Sequence, residues 1–108
     1  MAKTAKRLAG PALVTDSAAS KYTVPSATKT IVRHIHVSNT SAGAVTFTAS
    51  IGTDAAGTRI FDAYTIDAGA VLDHWCYYVL EATEVIQALA GTTNILVLTI
   101  DGDELTLG

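Results

Sequence analysis

The 108-residue chain has little of what most chemistry requires. Its single cysteine, Cys76, excludes an intrachain disulfide and any cysteine-clustered zinc site. Cys76 lies in the apolar-aromatic run Trp75-Cys76-Tyr77-Tyr78, where a buried, inert thiol is expected. No stretch approaches the ~18 consecutive apolar residues of a transmembrane helix. Leu8–Val14 follows a basic start but is broken by Gly10-Pro11, so no signal-peptide core is read and synthesis in a reducing cytoplasm is expected. The sequon Asn39-Thr40-Ser41 is discounted for the same reason. Nucleophile-elbow, phosphate-loop and dinucleotide signatures are missing, and the ten acids show no spacing that marks a catalytic pair, so no enzyme is expected. Charged residues are scarce too, at 16% against roughly 25% in soluble domains.

What the chain does have is small residues: 18 Ala, 16 Thr, 8 Gly and 6 Ser. A hydrophobic content of 49% argues against disorder, and the length bounds the chain to one domain with a modest core. A surface so poor in charge is expected to be covered in part by partners.

The net charge of −3 conceals a split. Residues 1–33 carry Lys3, Lys6, Arg7, Lys21, Lys29 and Arg33 against Asp16 alone, a balance of +5. Residues 34–108 carry Arg59 against nine acids, a balance of −8. A basic leading arm on an acidic body suits lapping over a neighbouring copy or another anionic partner; the alternative is neutralisation within one subunit. Direct nucleic-acid binding is not expected, because no basic stripe is interleaved with stacking aromatics.

Period-two patterning runs through the chain. Thr30–Ser38 sets Ile31, Arg33, Ile35 and Val37 on one face and Val32, His34, His36 and Ser38 on the other. Ala44–Ile51 alternates as a half-buried strand, and Asn39–Gly43 turns the two into a hairpin. Arg59–Ile66, Val71–Leu80 and Glu84–Ala90 read as further strands, the last despite helix formers, because Val85-Ile86 is β-branched. Ile95–Ile100 is nearly all apolar and reads as a central strand covered on both sides. Asp101-Gly102-Asp103 then reads as a turn before a short edge strand, Glu104–Leu107. Ala12–Thr15 and Lys21–Val24 are two short early strands. The expected fold is all-β: a single antiparallel, jelly-roll-like β-sandwich of about eight short strands over residues 21–108, with an extended basic arm over 1–20. Deleting that arm is expected to leave the sandwich folded.

Candidate sites are few. His34-x-His36 places two imidazoles on one strand face, a spacing that can chelate a metal, with His74 as a third ligand if its strand pairs nearby. No acid stands at a motif-like offset, so neither a metal nor a cofactor is assigned, and the pair is read as a sheet-face or partner contact. Asp101-x-Asp103-Glu104 lacks the ligand series of a calcium loop and reads as a solvated turn. Trp75 and Tyr77 share a strand face opposite His74, Cys76 and Tyr78, which leaves at most a small sugar-stacking platform. The partner-contact set is therefore Lys3, Lys6, Arg7, Lys21, His34, His36 and Trp75.

Tyr22-Thr23-Val24-Pro25, Thr30-Ile31-Val32, Ile35-His36-Val37-Ser38-Asn39-Thr40-Ser41 and the strand to Ile51 form an opening that resembles small virion proteins of tailed bacteriophages. Asp67-Ala68-Gly69-Ala70-Val71-Leu72 and Asn94–Glu104 continue the likeness over roughly residues 20–105. The resemblance implies a non-enzymatic β-sandwich of the head or tail, with capsid decoration favoured over a neck, tail or fibre-associated place and over a host-glycan-binding module. It further implies contacts with the major capsid protein or other virion proteins, a homo-oligomer with a trimer as first expectation, a place on the head exterior, and no membrane partner.

Overall fold

The structure is a computed structural model and describes residues 2–106. The described chain holds eight strands and no helix: β1 (Ala2–Leu13), β2 (Ala19–Thr23), β3 (Thr28–Asn39), β4 (Val45–Ile51), β5 (Arg59–Ile66), β6 (Val71–Leu80), β7 (Val85–Ala90) and β8 (Leu96–Thr106). They form two four-stranded antiparallel sheets, ordered β1-β8-β3-β6 and β2-β7-β4-β5. First pairs with last, second with seventh, third with sixth and fourth with fifth. This nesting is a long hairpin rolled on itself, the topology of an eight-stranded jelly roll. The all-β sandwich expected from the sequence is present.

Between the sheets, Val14, Val32, Ile35, Val37, Phe47, Leu80, Ile86, Leu96, Leu98 and Ile100 are sealed from solvent. Few aromatics enter this core; Phe47 is the largest fully buried side chain. Among the described residues, no buried side-chain nitrogen or oxygen lacks a hydrogen-bond partner.

Four sequence expectations need correction. First, residues 2–13 are not a free arm: β1 pairs with β8 from Ala2↔Thr106 to Leu13↔Val97, and Leu8 and Val14 enter the core. The boundary at residue 20 therefore divides nothing structurally, since β2 begins at Ala19. Second, the expected turn at Asp101–Asp103 is continuous strand. A Cβ on Gly102 would lie 2.1 Å from the Ile31 carbonyl oxygen, so this glycine serves close strand approach rather than chain reversal. The edge strand expected over Glu104–Leu107 is the end of β8, and Leu107 lies outside the described residues.

Third, β3 does not keep one phase. Thr30 and Val32 face the core, then Ile35, Val37 and Asn39 do, because Arg33 is an extra residue relative to β8, while on the β6 side it stands opposite two residues, Cys76 and Tyr77. One inserted residue exchanges the faces of everything beyond it. Ile31 and Arg33 therefore do not share a face with Ile35 and Val37. Fourth, β8 is interior in its sheet but covered on one face only: Leu96, Leu98 and Ile100 are buried, while Val97 and Thr99 are half-buried. The cover lies instead over β4, where Thr48 and Ser50 are buried beside Phe47 and Ala49. Ser50 Oγ donates to Asp54 in the 52–58 loop, and the Ala63 amide donates to Thr48 Oγ1.

Candidate functional site

The densest set of chemically capable side chains lies on the outer face of the β1-β8-β3-β6 sheet. The Arg33 bulge lets Val32 and Ile35 both turn inward while His34 and His36 both remain outside. Across the ladder His36 pairs with Asp73 and His34 with Trp75, so β6 supplies an acid and an aromatic ring to the two imidazoles. His36 Nδ1 lies 2.6 Å and His34 Nε2 3.0 Å from the same oxygen, Asp73 Oδ1. The His36 hydrogen bond holds the Asp73 carboxyl below the ordinary carboxylate range; desolvation opposes this and the His34 bond adds to it. An ionised carboxylate only accepts, so both facing nitrogens carry hydrogens. Behind His34, its Nδ1 lies 3.8 Å from Asp101 Oδ2 on β8. Trp75 stacks on the His34 ring with centroids 3.9 Å apart.

His74, expected as a third member, points elsewhere. Its Nε2 lies 2.9 Å from the Tyr78 hydroxyl and its ring meets Phe61 edge-on, on the opposite face of β6. The acid that the sequence did not supply by local offset stands one residue earlier and reaches the pair across strands. Only register could have revealed it.

A second feature runs along β6, the last strand of its sheet. Val71, Trp75, Tyr77 and Val79 alternate outward and are 53%, 75%, 62% and 47% exposed. Arg33 lies over the Tyr77 ring at 5.1 Å. The inward alternates Leu72, Cys76 and Tyr78 pack against the core. Cys76 is half-buried rather than buried as expected, and that burial raises its thiol above its ordinary value. The face assignment made for Trp75 and Tyr77 is the one observed.

Four of the six basic residues of the first third, Lys3, Lys6, Lys29 and Arg33, meet acids of their own chain. Lys3 Nζ lies 3.7 Å from Asp103, Lys6 Nζ donates to Glu104 at 3.1 Å, and Arg33 Nε donates to Asp103 at 3.0 Å. Arg7 stands opposite Asp101 in the ladder and lines a shallow, open depression with Lys6, Arg33, Asp101 and Asp103. Lys21 Nζ donates to the Leu13 carbonyl. Asp101 and Asp103 thus lie on a strand among bases and a histidine, not in an ion-binding loop.

Sequence reasoning missed the Glu104 cluster, which ties both sheets together. Glu104 on β8 accepts from Lys6 on β1 and from the Tyr22 hydroxyl on β2; Tyr22 also bonds Thr30 on β3. Desolvation, then the Glu104 bond, pushes the Tyr22 hydroxyl up to about 12.

The chain matches no protein-family model, and no curated protein or solved structure is significantly similar to it.

Proposed function

We propose that the protein is a non-enzymatic structural component of a tailed-phage virion, a decoration protein that stabilises the head shell by binding the major capsid protein and its own copies. The observation that carries the assembly part is the outward face of β6. Four large apolar side chains lie exposed there on an edge strand of ten residues without proline, paired with β3 on one side only. Long apolar edges invite strand pairing and are ordinarily blunted by charge or proline, whereas Asp73 is the one charge along this strand. A large exposed apolar patch of this kind marks an interaction surface. The phage part rests on the sequence resemblance over residues 20–105, and jelly rolls recur in viral shells. Fold alone does not confer function, so the proposal stands on β6 and the resemblance together.

Protein stoichiometry of purified particles tests the location. Copies on the order of hundreds per virion, as closed symmetric shells require, support decoration. A handful or a few dozen would move the protein to the neck or tail. Replacing both Trp75 and Tyr77 by Ala tests the surface: binding to undecorated shells is expected to weaken about 30-fold or more, the loss of one hot spot of ~2 kcal/mol. Unchanged binding refutes β6 as the contact. Glycan-array binding that Trp75→Ala abolishes would favour a receptor-binding module instead.

A further inference from the structure

We propose that His34, His36 and Asp73 form a binding site for one divalent transition-metal ion of the zinc class. The three residues each place a donor atom within 4.8 Å of the other two, on a face open to solvent. Two imidazole nitrogens and one carboxylate oxygen are a set suited to zinc, with a fourth position left to water. The donors converge before any ion arrives: His34 Nε2 and His36 Nδ1 both point at one oxygen of Asp73. An ion there would take the place of the two hydrogens that now bridge the nitrogens to the carboxylate, with donor distances closing to about 2.0–2.2 Å.

A second observation concerns His34. Its remaining nitrogen, Nδ1, faces Asp101 Oδ2 at 3.8 Å. A carboxylate behind the non-ligating nitrogen is the arrangement that orients metal-bound histidines and raises their basicity. Trp75 covers the flat side of the same ring, limiting its rotation. The ligands come from β3 and β6, so the ion would cross-link the edge strand to its neighbour beside the exposed apolar row. This inference is independent of any role in a virion.

Trp75 is the sole tryptophan and stacks on a proposed ligand, so its emission reports directly on the site. Chelator-treated protein is titrated with zinc chloride, following Trp75 fluorescence, and bound zinc is measured after dialysis. The expected result is a saturable change ending at one zinc per chain. His36→Gln and Asp73→Asn should each weaken binding by at least about tenfold, and Asp101→Asn by about tenfold as an outer-shell partner. All three positions face outward, and far-UV circular dichroism verifies that each variant is folded. Absence of saturable zinc uptake by the wild-type protein overturns the proposal. So does uptake that His36→Gln and Asp73→Asn leave unchanged.

Discussion

Replacing Tyr22 by Phe probes the link between the two sheets. Tyr22 is 9% exposed and Thr30 is fully buried, so neither hydroxyl can turn to water. Glu104 is held below its ordinary value of 4.5, chiefly by the Tyr22 bond, against desolvation and with help from Lys6. Ionised, it only accepts; Tyr22 therefore donates to Glu104, and Thr30 donates to the Tyr22 oxygen at 2.8 Å. Removing the phenolic hydroxyl loses a hydrogen bond to a charged group, about 1.5–3 kcal/mol, and orphans the Thr30 hydroxyl at about 1–3 kcal/mol. These contributions overlap, so the expected loss is about 3 kcal/mol, or roughly 12–24 °C in melting temperature for a domain of this size. Adding Thr30→Val removes the orphan and should recover part of the loss. The pH profile gives an independent check. Above pH 10 the unfolded chain releases a proton that folded Tyr22 keeps to about 12, so its stabilisation is complete below 10 and fades across that window. Burial raises Tyr78 and Cys76 as well, so Tyr22→Phe should shrink the alkaline limb without abolishing it. Glu104 works in the opposite sense: its stabilisation is present above 4.5 and is lost as pH falls through the depressed value, a limb that should also shrink in the variant. Urea unfolding at pH 7 within about 0.5 kcal/mol of wild type, with both limbs unchanged, would refute the reasoning.

Three further outcomes follow from the packing. Gly102→Ala forces a methyl group to 2.1 Å from the Ile31 carbonyl oxygen and should cost about 1–3 kcal/mol by thermal melting; a neutral result would mean that β3 and β8 separate freely there. Asn39, 3% exposed, donates to the Gly43 and Ile66 carbonyls and accepts from the Ser41 amide and hydroxyl. Asn39→Ala should cost about 2–4 kcal/mol in chemical denaturation, and a loss under about 0.5 kcal/mol would exclude it as the anchor of that turn. Deleting residues 1–20 removes an edge strand together with Leu8 and Val14, at about 1.5–3 kcal/mol for each buried side chain. The truncated chain should therefore lose its cooperative melt, the reverse of what a dispensable arm predicts; a melt within a few degrees of wild type would restore the arm.

The strands most legible in the sequence were those bounded by turn residues, including β5, whose register against β4 shifts twice. Arg59–Ile66 and Val71–Leu80 coincide with β5 and β6, and Val85–Ala90 is a strand in spite of its helix formers. Legibility failed where period two is broken by one residue. Arg33 carries no mark of a bulge, and an uninterrupted alternation across it assigns Ile31 and Ile35 to the same side. Gly102 failed for a related reason: between two aspartates it has the composition of a turn, but the constraint it answers is the Ile31 backbone, a long-range neighbour. The candidate site was half visible. His34-x-His36 is a local pattern, whereas Asp73 and Asp101 join it only through the β3–β6 and β3–β8 registers.

Register also accounts for the charge asymmetry. Antiparallel pairing of the first strand with the last sets Lys3, Lys6 and Arg7 alongside Asp101, Asp103 and Glu104. Three of the six bases of the +5 segment and three of the nine acids of the −8 segment are thus two sides of one ladder, and Lys3 and Lys6 meet their acids within the subunit. Such pairs at half-exposed lysines add little stability individually, but β1 carries only bases and β8 only acids, so they favour this choice of strand partner. With those charges matched inside the chain, the N-terminal segment has less to offer an anionic neighbour. The assembly surface we propose lies accordingly on the opposite edge of the same sheet, where β6 presents apolar rings and an unpaired backbone. An N-terminal contact would weaken steeply with salt, whereas a β6 contact buries apolar area and should persist as ionic strength rises. Shell or self-association measured at low and at 1 M salt separates the two. Binding that survives with little change places the contact on β6, and loss of most of it at high salt would return it to the basic strand.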